Sequence, residues 1–123
     1  MHNVLISLAA NCDHEQNLQE ARKRLQQVLS AVSFTSELWT EPEGSPLRPD
    51  LYLNQLASGQ TDMGVDELCQ WLKQTERSLG RTSEDRRQGI VRIDLDLLQY
   101  DGLRHHLKDW ERSYIKCLLE LPT

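Results

Sequence analysis

The sequence predicts an α+β fold in which two helices cover one face of an antiparallel sheet. Three observations carry that prediction. Short runs rich in β-branched residues alternate with two long stretches of three-and-four apolar spacing. The period changes in the order βαββαβ, the order that a ferredoxin-like sandwich requires. Finally, 123 residues suit one core, since two would each be too small to offset the entropy of ordering. A single domain over 1–123 is expected.

The elements follow in turn. Asn3 to Leu8 holds Val4, Leu5, Ile6 and Leu8 and reads as a buried strand, broken by Asn11-Cys12-Asp13. From His14 to Ala31, Leu18, Ala21, Leu25, Val28 and Leu29 trace one helical face. Val32 to Trp39 predicts a strand running into the irregular Glu41-Pro42-Glu43-Gly44-Ser45-Pro46, and Leu51 to Ser58 a further strand. Val65, Leu68, Cys69, Leu72 and Leu79 predict a second helix closed by Gly80. Thr82 to Gly89 is a charged loop on this reading, and Ile90 to Leu98 alternates as a strand. Past Tyr100 the pattern predicts only a short strand or helix at Tyr114 to Leu119.

Composition excludes some function classes. Fourteen Lys and Arg against 19 Asp and Glu give a net charge of -5, which repels a phosphate backbone and argues against general nucleic-acid binding. No apolar run approaches the roughly 20 residues needed to cross a bilayer, and Met1-His2-Asn3 lacks the basic start of a secretory signal. A cytoplasmic, monomeric protein with no membrane partner is expected. Cys12, Cys69 and Cys117 lie too far apart for a zinc or redox motif and read as reduced structural thiols.

The chemistry concentrates near the last strand. Side chains two apart in a strand share a face, so Asp94 and Asp96 project together while Ile93, Leu95 and Leu97 face the other way. Adjacent carboxylates repel, and a hard divalent cation such as Mg²⁺ relieves that repulsion. Arg81, Arg86, Arg87 and Arg92 lie within a dozen or so residues of the pair, as a polyphosphate would require. The plainer reading, a solvated pair beside a surface loop whose Glu84 and Asp85 pair with Arg86 and Arg87, stays open on these residues alone.

Arg81 followed by Asp94-Leu95-Asp96-Leu97 resembles the segment by which 6-hydroxymethyl-7,8-dihydropterin pyrophosphokinases hold ATP and two magnesium ions. Further similarities fall in the same order: Ser36 to Gly44, Tyr52-Leu53-Asn54, Glu76 to Arg81, and His106 to Tyr114. The resemblance spans residues 3 to 119. It implies transfer of pyrophosphate from ATP to the hydroxymethyl oxygen of the pterin, in folate synthesis, with release of AMP. Asp94 and Asp96 would bind two Mg²⁺, with Arg81 beside them in catalysis. Glu76, Arg81, Arg87, His106 and Arg112 would contact ATP. Thr40, Pro42, Glu43, Tyr52, Asn54 and Tyr114 would form the pterin site, the tyrosines stacking on the ring.

The chain departs from the family pattern at several positions. Ala9-Ala10-Asn11 replaces the usual Gly-Ser-Asn, and Ser83 stands where many members carry arginine. In Gln88-Gly89-Ile90-Val91 the expected arginine is Val91, and Arg92, one place along, would lie on the opposite face of a strand. These departures define an alternative function: a diverged pterin- or nucleotide-binding homologue with little or no turnover.

Overall fold

The computed structural model describes residues 1–42, 49–80 and 82–120. Along the chain run β1 (His2–Ala10), α1 (His14–Val28), β2 (Ser30–Phe34), β3 (Leu38–Thr40), β4 (Tyr52–Thr61), α2 (Val65–Ser78), α3 (Ser83–Gln88), β5 (Asp94–Tyr100), β6 (Leu103–Arg104), α4 (Leu107–Trp110) and α5 (Ser113–Glu120). The strands form one antiparallel sheet in the order β2-β4-β1-β5-β6, with β3 also paired to β4. The expected α+β fold and its element order are present.

Strict alternation builds the main core. Val4, Ile6 and Leu8 of β1, Leu53 and Ala57 of β4, and Leu95 and Leu97 of β5 point to one side. There they meet Leu18, Ala21 and Leu25 of α1 and Leu68 and Leu72 of α2. A smaller cluster lies on the opposite face, where Ile115 and Leu118 of α5 pack on Leu56 and Leu98. So α5 covers part of the second face: where the sequence left a short strand or helix open at Tyr114 to Leu119, a helix forms and has a packing role.

Four of the differences from the sequence expectation have a local reason. The strand expected over 32–39 is two strands, because Thr35 pairs out of the ladder: its N–H donates to Leu56 O at 2.9 Å and its Oγ1 accepts from Leu56 N at 3.0 Å. β2 and β3 therefore lie end to end along one edge of β4. α1 stops at Val28 because Leu29 is already extended and Ser30 enters β2. The charged loop over 82–89 contains α3, whose first turn is capped by Thr82 Oγ1 accepting from Asp85 N at 3.1 Å.

The last difference is the start of β5. Asn11 is 5 % exposed, and its side chain donates to Gly89 O at 2.8 Å and accepts from Val91 N at 2.7 Å. Those bonds take 89–91 out of the regular ladder, so the strand begins at Asp94. At the end of α2, Gly80 has φ 111°, which favours glycine by conformation, and a Cβ there would meet Arg92 Cδ at 3.0 Å, so the arginine would have to give way slightly. No helix among the described residues is long and apolar enough to cross a membrane.

Candidate active site

The face of the sheet away from α1 and α2 carries the polar residues. Ala9 of β1 lies between Asn54 of β4 and Asp94 of β5, and Ser7 lies beside Asp96. Two small side chains in the central strand leave the floor open between larger neighbours. The result is a cavity of about 290 Å³, at the small end of the usual range for ligand sites. Thr40, Glu41 and Tyr52 line one side, Asp94 and Asp96 the other, and Arg112 and Tyr114 reach in from the C-terminal segment.

The electrostatics are unusual at Asp94. Burial, followed by the charges of Asp96 and Glu76, pushes its carboxyl up to about 7, and a hydrogen bond shared with Asp96 adds to the effect. Near neutral pH the pair therefore holds a proton for much of the time. Two crowded carboxylates on one strand are a donor set that fits a hard divalent cation, which would replace that proton and remove the repulsion.

A side-chain clamp fixes the strand that carries the pair. Glu76 of α2, 2 % exposed, accepts the Leu95 N–H at 2.7 Å. Lys73, one turn earlier, donates to Leu95 O at 3.3 Å, to Glu76 Oε2 at 3.1 Å and to Asp96 Oδ1 at 3.3 Å. At Leu95, between the two aspartates, these side chains do for the backbone what a neighbouring strand would do. The burial of the Lys73 stem opposes its charge, but the Asp96 and Glu76 carboxylates prevail and raise its pKa.

The structure sorts the residues singled out in the sequence. Asp94, Asp96, Thr40, Tyr52, Asn54, Arg112 and Tyr114 line one cavity. Asn54, 3 % exposed, donates from Nδ2 to Thr40 Oγ1 at 2.8 Å and to Leu38 O at 3.0 Å, which ties β3 to β4 at the rim. Pro42 is half-buried next to Glu41. His106 places Nε2 3.9 Å from Asp96 Oδ1, and Arg112 donates to Asp109 Oδ1 at 2.9 Å.

Other positions lie apart from the cavity lining. Glu76 sits behind the pair, on the helix side of β5, where it reaches the site through Leu95 N. Arg87 is exposed on α3 and pairs with Glu84. Asp85, which the sequence suggested as a partner for Arg86 or Arg87, instead accepts from Arg92 Nε at 2.9 Å. Arg92 is also within 3.8 Å of Asp13, and it is thereby committed to a structural contact. Arg81 and Glu43 lie outside the described residues.

Two contributors were missed by sequence reasoning. Lys73 looked like any solvated lysine on a helix, and only its place one turn before the buried Glu76 hinted otherwise. Asn11 was read as a strand breaker, although an asparagine before a charged run can serve as a clamp between segments distant in sequence.

Against this geometry stand the likenesses to known proteins. The profile of the 7,8-dihydro-6-hydroxymethylpterin-pyrophosphokinase family matches residues 5–123. The chain belongs to that family. Among curated relatives, the mitochondrial folate synthesis bifunctional protein of Pisum sativum is 28 % identical over 121 residues, covering 91 % of this chain and 23 % of the relative. The folate synthesis bifunctional protein of Arabidopsis thaliana is 30 % identical over 122 residues, covering 91 % of this chain and 25 % of the relative. The pyrophosphokinase-family chain thus spans about a quarter of the length of these relatives.

Proposed function

We propose that the chain forms a single pyrophosphokinase domain that transfers pyrophosphate from ATP to 6-hydroxymethyl-7,8-dihydropterin in folate synthesis. The pterin hydroxyl oxygen attacks the β-phosphorus and gives up its proton to solvent, the bond from that phosphorus to the bridging oxygen of the α-phosphate breaks, and AMP leaves. The observation that carries this reading is the crowded Asp94–Asp96 pair on the floor of a cavity flanked by two tyrosines. It is the arrangement expected where a flat ring and a metal-bound polyphosphate must meet.

In this proposal Asp94 and Asp96 hold two Mg²⁺, which when bound neutralise the phosphate oxygens during transfer. Tyr52 and Tyr114 stack on the ring, and Thr40, held by Asn54, Pro42 and Glu43 complete its polar edge. Arg112 and His106 contact the nucleotide from the open side, and Arg81 joins them by the family resemblance alone; Arg87 reaches it only by leaving Glu84. Glu76, an ATP contact by the family resemblance, also fixes the backbone of Leu95 between the two aspartates.

A second reading, binding without turnover, is favoured by one specific feature. Val91 stands in place of the family arginine, and Arg92 beside it is held by Asp85. The two readings separate in one assay of AMP formation from ATP, Mg²⁺ and the pterin, with metal and pterin omitted in turn. AMP that requires both establishes the enzyme, whereas pterin binding without AMP from folded protein establishes the binding homologue.

A further inference from the structure

We propose that Lys73 is a tethered counter-ion of the metal site, a positioning residue that occupies the flank of Asp96 until a divalent cation displaces it. The proposal rests on the reading of Asp94 and Asp96 as the metal-binding pair. An ammonium has three N–H donors, and Lys73 has three acceptors within reach: Glu76 Oε2 at 3.1 Å, Leu95 O at 3.3 Å and Asp96 Oδ1 at 3.3 Å. A solvated surface lysine rarely finds such a set.

The two halves of the clamp differ in how easily they can let go. The Glu76 side chain is 3 % exposed and is fixed by Leu95 N, whereas that of Lys73 is 48 % exposed. Lys73 also lines a groove of about 310 Å³ along α2, with Cys69, Gln70, Gln74 and Arg77, so its ammonium has space to turn into. A compact charge on a flexible stem suits such an exchange better than a guanidinium fork. Metal and ammonium compete for the same Asp96 oxygen, so the lysine lowers the affinity for a bare cation while it keeps the metal-free carboxylates from driving one another apart.

Titration calorimetry of Mg²⁺ into nucleotide-free protein tests this, with thermal melts of the same samples. Lys73→Met should bind Mg²⁺ about threefold to tenfold more tightly than the parent, the size expected for loss of a half-exposed ion pair. It should also melt lower without metal and gain more from added Mg²⁺. Lys73→Gln, which keeps a polar end, serves as a second variant should Lys73→Met fail to fold. Affinity unchanged or weakened in the folded variant, or no measurable binding by it, overturns the proposal. Asp96→Asn separates the two levels: if it loses Mg²⁺ while the lysine variants behave as the parent, the metal site stands and the counter-ion falls. If Asp96→Asn binds Mg²⁺ like the parent, the site reading fails and takes the counter-ion with it.

Discussion

Asp85 and Asp94 flank the connection from α3 to β5, and they show opposite treatments of a carboxylate. Asp85 has its cation: Arg92 donates to it from Nε and Nη2, Thr82 caps the same turn, and the Arg92 hydrogen bond holds the carboxyl below the usual range. Asp94 is pushed up to about 7 by its burial and then by the charges of Asp96 and Glu76. A satisfied carboxylate locks a turn in place. A carboxylate raised by burial and by like charges is favourable ground for a cation that arrives with its substrate.

The sharpest way to break this comparison is to remove each side. Asp94→Ala and Asp96→Ala should each lower metal-dependent AMP formation by about a thousandfold or more, the loss expected when a metal ligand in the reaction path is removed. Both should still unfold cooperatively. Asp85→Ala should do the reverse, with AMP formation within a few-fold of the parent and a melting temperature lower by several degrees. Equal kinetic losses in all three would erase the distinction between a binding and a structural carboxylate.

A smaller effect tests whether the crowded pair belongs to a ligand cavity. Tyr114→Ala should weaken pterin binding by about tenfold, the order expected for one lost stacking partner, as followed by fluorescence quenching. Unchanged binding would take Tyr114 out of the site.

The smallest effect is a pH slope, and its sign differs between the two aspartates. The raised Asp94 favours the folded state while protonated, so its contribution declines as pH rises from its ordinary 3.8 to about 7 in metal-free protein. The depressed Asp85 contributes fully above the ordinary carboxylate range and loses its contribution as pH falls below it. Denaturant melts across pH should therefore show opposite differences for Asp94→Asn and Asp85→Asn relative to the parent. Slopes of the same sign would contradict the assigned environments.

The sequence made the helix-covered face legible because that face obeys simple periods. Leu18, Leu25, Leu68 and Leu72 recur at helical spacing, and Val4, Ile6, Leu8, Leu95 and Leu97 alternate, so the element order and the shared face of Asp94 and Asp96 could be read directly. The missed features lack an apolar period. Ser83 to Gln88 is wholly polar, and its only helical signals are the Thr82 cap and Gly89 at φ 72°. The break at Thr35 comes from one side chain bonding across to Leu56. The Lys73 and Asn11 clamps are contacts between segments far apart in sequence, which no local pattern encodes.

The clamp at Leu95 also bears on how the molecule behaves in company. Among the described residues, only Gln99 and Tyr100 of β5 pair with a strand other than β1, in β6, so the outer side of Leu95 faces no described strand. Such an edge is a template on which a second chain can add its own strand. With Leu95 N taken by Glu76 and Leu95 O by Lys73, that template is blanked at its centre. The side chains that steady the aspartates thus also occupy the backbone groups on which an added strand would have to pair.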